Sequence, residues 1–170
     1  MNKIKVYVAG SWKNRLAIKQ LMENIEEWGY IVIVDWTKHQ EKGGAKQYAA
    51  EDLKGLQECD CLIYCMDSNH SRGKNFELGY ITALCKPVII YIMSDEEINA
   101  CLDMKTILID SLIDKECIFI KARLYPIIGS LENLRLWIEN LEVKLLLSQV
   151  RQKQMEGKMD DEWNDKRNDE

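Results

Sequence analysis

The chain has 170 residues, 46% of them apolar and 30% charged, which is ordinary globular usage and enough for one sizeable core, so disorder of the whole chain is excluded. A formal net charge of −5 lacks the basic footprint of a general nucleic-acid or anionic-membrane binder, and neither polymeric nucleic acid nor a membrane is expected as a partner. The apolar runs fall short of the roughly 18 residues that span a bilayer. No charged, apolar and small-residue leader precedes the first strand-like segment, so a cytoplasmic protein is expected.

Strand and helix patterns then alternate. Lys3–Ala9 (KIKVYVA) reads as a strand that stops at Gly10-Ser11. From Asn14 to Trp28, Leu16, Ile18, Leu21, Met22, Ile25 and Trp28 recur at helical spacing, and Gly29 ends the run. Tyr30–Val34 is a second strand, followed by a polar loop to about Lys46. Tyr48–Glu58 carries Ala49, Leu53 and Leu56 on one helical face, and Asp60–Met66 is a third strand. The loop Asp67–Lys74 leads to a helix over Asn75–Leu84, and Lys86-Pro87 opens a fourth strand, Val88–Met93. Ser94-Asp95-Glu96-Glu97 has the form of a helix start, with acids in the first turn. Cys117–Ile120 is read as the fifth strand.

From Leu131, the pattern Leu134, Trp137, Ile138, Leu141, Leu145 and Val150 predicts a long amphipathic helix ending near Gly157. Residues 1–156 are read as one domain and 157–170 as an acidic, disordered tail.

Repeated strand–helix–strand units require crossover connections, which give a parallel sheet covered by helices on both faces. The near-continuous apolar strands Tyr30–Val34 and Val88–Met93 fit burial on both sides. In such a sheet, ligands bind outside the carboxyl ends of the strands, near the switch in strand order, which directs attention to the loops after the first three strands. The six cysteines form no C-x-x-C pair and the only histidines are His39 and His70, so no metal site is expected. Cys61 and Cys65 fall inside an apolar strand, where a thiol behaves as a small hydrophobe.

Three segments could carry chemistry. In Tyr7–Arg15 (YVAGSWKNR), Gly10 and Ser11 lie where a strand turns into a helix, offering backbone N–H groups to an anion, with Lys13 and Arg15 nearby. An ordinary turn, with Ser11 as a cap and two solvated bases, fits equally. In Ser71–Tyr80 (SRGKNFELGY), Glu77 falls within the first turns of a helix, where the dipole favours a carboxylate and keeps it ready as a nucleophile. Gly73 permits close approach of the backbone to a ligand and Gly79 close packing of helix on sheet. A glutamate that merely stabilises its helix fits too. Asp52, in Glu51-Asp52-Leu53-Lys54, and His39, in the loop after the second strand, are candidates by position; a solvated acid and an incidental loop histidine are the alternatives.

The combination is more specific than its parts. Strand-Y-x-x-G-S, T-x-H, D-L-x-x-L-x-x-C-D, S-x-G-x-x-x-E-L-G-Y and K-P-V occur in that order between Lys3 and Tyr91, a little over half the chain. This resembles the nucleoside 2-deoxyribosyltransferase-like proteins, and within them the 2′-deoxynucleoside 5′-phosphate N-hydrolase branch. The resemblance implies a flavodoxin-like, three-layer α/β sandwich on a five-stranded parallel sheet, a homodimer, and cleavage of an N-glycosidic bond. It implies no metal and no organic cofactor.

By that resemblance, Glu77 matches the glutamate that attacks the anomeric carbon. Asp52 matches an aspartate that contacts the sugar and assists departure of the base, and Tyr7 a tyrosine beside the glutamate. Ser71 matches a serine that holds the 5′-phosphate, and Gly10, Ser11, Lys13 and Arg15 occupy the phosphate-side loop. His39 and Gly73 complete the expected substrate contacts. Trp12, Lys13 and Asn14 stand where that branch has a smaller, more glycine-rich loop, and Cys85 where the family often has glycine. The expected reaction is hydrolysis of a (deoxy)nucleoside 5′-monophosphate to free base and sugar phosphate. The alternatives are base transfer on unphosphorylated nucleosides and a non-catalytic nucleotide sensor.

Overall fold

The computed structural model describes residues 3–39, 44–67, 71–93 and 125–147. Five parallel strands form the sheet: β1 (Lys5–Ala9), β2 (Ile31–Val32), β3 (Cys61–Met66), β4 (Val88–Ile92) and β5 (Ile127–Ile128), in the order β2-β1-β3-β4-β5. Helices α1 (Arg15–Glu27), α2 (Ala45–Glu58) and α3 (Arg72–Ala83) are the crossovers. This α/β architecture is the flavodoxin-like one: the chain moves outward from β1 to β2, then returns to place β3 on the other side of β1. The reversal opens a crevice at the carboxyl ends of β1 and β3, where Gly10 and Asp67 follow their strands.

The central strands are the most apolar. All six residues of β3 are buried, as are Val6–Ala9 of β1 and four of five in β4. Cys61 and Cys65 are fully buried in β3, and burial holds both thiols well above the ordinary range. The second strand is shorter than the Tyr30–Val34 expectation. It pairs only through Ile31 and Val32, and Ile31 is 40% exposed. As an edge strand it has one neighbour and is not enclosed on both faces. After Val34 the chain turns instead to a short 3₁₀ segment, Trp36–Lys38, where the buried Trp36 donates its indole N–H to the Val8 carbonyl at 2.6 Å.

The fifth strand is Ile127–Ile128, beside Ile90 and Tyr91 of β4. Cys117–Ile120, read as that strand from sequence, lies outside the described residues, as do the Ser94 helix start, His70 and the 157–170 tail.

Helix α1 buries Ile18, Leu21, Met22 and Ile25. A 3₁₀ turn over Trp12–Asn14 precedes it, so Leu16 falls off the buried stripe and is 76% exposed. Two helices end in the same motif. At α1, Gly29 takes φ +94° while its N–H bonds Glu26 O and that of Tyr30 bonds Ile25 O. At α3, Cys85 takes φ +53° with the matching bonds Cys85 N–H to Thr82 O and Lys86 N–H to Ile81 O. A left-handed residue after the last turn satisfies orphan carbonyls in this way, and it is a place where glycine, with no Cβ, is the expected residue.

Lys86 then places its ammonium on the carbonyls of Leu56 (3.1 Å), Gln57 (2.5 Å) and Cys59 (2.7 Å), closing the C-terminus of α2. Those carbonyls have no helical partner and carry the negative end of the helix dipole. Gly79, expected to pack α3 on the sheet, is instead on its exposed face, with nothing within 4 Å of an added Cβ. Gly55 makes the close contact: a Cβ there would meet Val34 Cγ2 at 2.3 Å and the Tyr7 ring at 3.2 Å.

The chain divides into two compact units, Met1–Leu134 and Arg135–Glu170, with the boundary inside a helix over residues 131–147, α4. On α4, Arg135 and Glu139 form an i,i+4 pair at 2.9 Å. No helix among the described residues is long and apolar enough to cross a membrane.

Candidate active site

A cavity of about 410 Å³ lies at the crevice, lined by Gly10, Trp12, Trp36, His39, Tyr48, Asp52, Ser71, Gly73, Lys74 and Glu77. That volume is within the range of small-molecule sites, about 300–1,000 Å³. Each contributor arrives from a different part of the switch point. Gly10 and Trp12 follow β1, Trp36 and His39 follow β2, Tyr48 and Asp52 come from α2, and Ser71–Glu77 from the start of α3.

The chemical centre is a carboxylate–phenol–carboxylate arrangement. Tyr7 is fully buried on β1 and donates its hydroxyl to Glu77 Oε1 at 3.0 Å. Asp52 faces the same hydroxyl from α2. Burial first, then the fields of Glu77 and Asp52, push the Tyr7 phenol far above its ordinary value, so it stays protonated and acts as a fixed donor. Glu77 is pushed up to about 7, mainly by burial and further by Asp52, against the lowering effect of the Tyr7 hydrogen bond. Asp52 is also raised, chiefly by burial, with His39 and Tyr7 opposing. Its Oδ1 is buried and has no hydrogen-bond partner among the described residues. An acceptor left in that condition is costly unless a ligand or water meets it, so Asp52 is poised to bind a donor.

Helix α3 starts at Arg72, not near Asn75 as expected, which puts Glu77 in its second turn. The macrodipole fades beyond the first turn, so burial decides the glutamate's proton affinity and the expected dipole-favoured anion is not found. Ser71 is the residue before the helix, but its hydroxyl makes no cap bond; it faces the cavity instead. Gly73 lines the cavity beside it, with Ser71 Oγ 3.6 Å from where its Cβ would lie.

The loop after β1 departs from expectation. Ser11 is buried and turned inward, with its hydroxyl on Asp67 Oδ2 at 2.5 Å, and it neither caps a helix nor lines the cavity. Lys13 is exposed, and the Arg15 guanidinium lies 5.0 Å above the Trp12 ring; neither lines the cavity. Lys74 is among the lining residues, but its side chain is wholly buried and its ammonium pairs with Asp67 Oδ1 at 3.3 Å. Its ammonium also lies 4.9 Å over the Tyr64 ring.

Aromatic walls complete the site. His39 stacks on Tyr48, centroids 4.0 Å apart and 9° from parallel, with its Nε2 3.5 Å from Glu51 Oε2. Trp12 and Trp36 sit opposite in kind, 6.4 Å apart and tilted. Such faces suit a planar base. Trp12, Trp36, Tyr48 and Asp67 were not among the sequence candidates, and Lys74 entered only as a basic neighbour of Ser71 that favours a monophosphate. The one available signal was aromatic and charged residues crowded into loops after strands, where function concentrates. No group of three metal-ligating side chains occurs among the described residues.

Residues 6–112 match the sequence model of the family described as nucleoside 2-deoxyribosyltransferase. The chain belongs to that family. It is thereby an enzyme of the deoxyribosyltransferase kind, from a family that acts on small nucleosides or nucleotides. The match spans every cavity-lining residue. Among solved structures the chain is similar to the Clostridium botulinum CMP N-glycosidase BcmB, at 19% identity and a TM-score of 0.46, over 81% of this chain and 98% of that one. A search of curated proteins finds no match.

Proposed function

We propose that this family member hydrolyses the N-glycosidic bond of a (deoxy)nucleoside 5′-monophosphate, with Glu77 as nucleophile. The observation that carries the reading is the Tyr7 hydroxyl held on Glu77 Oε1 with Asp52 facing it, the two carboxylates both lining the cavity. Glycosidic cleavage passes through an oxocarbenium-like transition state, which a carboxylate beside the anomeric carbon stabilises or captures. Tyr7 anchors Oε1, and Oε2 bonds to the anomeric carbon as the C–N electron pair leaves with the base. Asp52, whose proton affinity burial raises, delivers a proton to the leaving base or holds the sugar hydroxyl. Water then attacks the same carbon and displaces Glu77, its proton passing to the Asp52 carboxylate, and sugar phosphate is released.

Ser71 and Gly73, side by side at the start of α3 with Gly10 across the cavity, support a 5′-phosphate at that end. A cytoplasmic homodimer is the expected setting, and sedimentation would test the dimer. Base release from a panel of deoxynucleoside and ribonucleoside monophosphates, separated by chromatography, tests the reaction. Release should require the 5′-phosphate and vanish in Glu77→Ala. Unchanged turnover in a folded Glu77→Ala variant would sink the reading.

One observation favours a second reading, base transfer on an unphosphorylated nucleoside. The buried cation at the proposed phosphate end, Lys74, is already matched by Asp67. Product formation that depends on an added acceptor base and ignores the 5′-phosphate would select it.

A further inference from the structure

Helix α4 carries two apolar stripes. Leu134, Ile138 and Leu141 make the first and are buried. At 3.6 residues per turn, Leu136, Val143 and Leu147 fall on the opposite side of the helix, where they are 48%, 55% and 53% exposed. A surface helix is ordinarily polar on the side away from its buried stripe, because water is the neighbour there. Three aliphatic side chains in a row along that side mark a surface that another element covers.

The spacing names the cover. Leu136, Asn140, Val143 and Leu147 follow at steps of four, three and four, and the next step of three falls on Val150 in the sequence. That is the d-a-d-a-d order of a coiled-coil seam. An asparagine at a single a position costs stability but fixes register and strand number. Asn140 stands at such a position, with its Nδ2 on the Leu136 carbonyl at 2.9 Å. Glu139 takes the g position beside the seam, and Lys144 the e position of the following heptad. Five residues apart, they are not neighbours on one helix, where contacts run between residues three and four apart. In a parallel pair of identical helices they meet across the seam, twice by symmetry and with opposite charge. The pair that Glu139 makes with Arg135 on its own helix is exposed, and such pairs are too weak to keep a carboxylate from a second cation. We propose that the outer face of α4 is a homodimer surface, docked in parallel on the same face of a second copy of this chain. The proposal gives the expected homodimer its surface and does not depend on the reading of the cavity.

Sedimentation equilibrium of the full chain, from about 1 to about 300 µM, tests it. The parent should pass from monomer to dimer within that range, since a seam this short lies at the weak end of interfaces. Val143→Glu/Leu147→Glu, at two exposed positions, should stay monomeric throughout. Glu139→Lys and Lys144→Glu should each weaken the dimer by about fivefold or more at low salt. An equimolar mixture of those two single variants should recover the parent's affinity to within about threefold, because both contacts across the seam then join opposite charges. Loss of a contact within one helix would not be repaired by mixing. A parent that stays monomeric overturns the inference, and so does a dimer unmoved by Val143→Glu/Leu147→Glu in protein folded by circular dichroism. Where that variant fails to fold, the charge exchange decides: single variants that leave the dimer as strong, or a mixture that does not restore it, overturn it. A dimer lost in Val143→Glu/Leu147→Glu, with no base release by the parent, leaves this inference standing and sinks the glycosidase reading. Base release by a parent that stays monomeric does the reverse.

Discussion

Replacing Glu77 by glutamine should abolish base release and, at alkaline pH, stabilise the protein. The unfolded carboxyl titrates near 4.5, whereas burial in the folded protein pushes it up to about 7. Between those values the native state binds more protons than the unfolded one, so stability falls as pH rises through that window and levels off above it. A shift of about 2.5 pH units corresponds to about 3 kcal/mol, an upper figure because Glu77 lines an open cavity. Glutamine keeps the shape and the acceptor for Tyr7 but never ionises. The stability difference between Glu77→Gln and wild type should therefore be near zero at pH 4.5 and approach about 3 kcal/mol above pH 8, or about 6–12 °C in Tm. Urea unfolding of both proteins at half-unit pH steps measures it. A difference that stays constant with pH would refute the reasoning, whatever its size.

The same ionisation governs activity: attack needs the Glu77 anion, so kcat/KM should climb with pH through about 7, and a profile flat from pH 5 to 9 would contradict it. Tyr7→Phe removes the hydrogen bond that lowers the glutamate's proton affinity, so the acidic limb of that profile should move to higher pH while kcat falls. Gly55→Ala drives a Cβ into Val34 and the Tyr7 ring; we expect a loss of about 1–3 kcal/mol in urea unfolding, with activity reduced through displacement of Tyr7. Cys85→Gly relieves a left-handed backbone at φ +53° and should stabilise the protein by about 0.5–1 kcal/mol without touching base release, readable as a raised unfolding midpoint.

How much of this was legible in the sequence varied with the kind of signal. The apolar runs of β1, β3 and β4 and the alternation with helices settle the parallel sheet, because burial on both faces leaves no other arrangement for them. The edge strand β2 was overread, since Ile33 and Val34 are as apolar as their neighbours but follow a chain already turning toward Trp36. The two-residue β5 is too short to show a period at all. Tyr7, Asp52, Ser71, Gly73, Gly10, His39 and Glu77 meet at the crevice because each sits at a strand end or on a helix whose direction the fold dictates. Lys13, Arg15 and Ser11 do not, because a 3₁₀ turn over Trp12–Asn14 sets where the loop's side chains point, and no pattern in the residues announces it. The inward hydroxyl of Ser11 depends on a carboxylate 56 positions away, which only the tertiary structure brings into reach.

The two opposed carboxylates ride on α2 and α3, and these helices are fastened to each other far from the cavity. Lys86, just past the end of α3, grips the last carbonyls of α2, and Gln57 Nε2 donates to the Tyr80 hydroxyl at 2.8 Å. The pair is built like tweezers, riveted at one end and open at the other, with Asp52 and Glu77 at the middle of the two arms. Any swing of one arm against the other would change the gap across the Tyr7 hydroxyl. On the proposed reading, the spacing of the two carboxylates about a sugar is set by a rivet that never touches it.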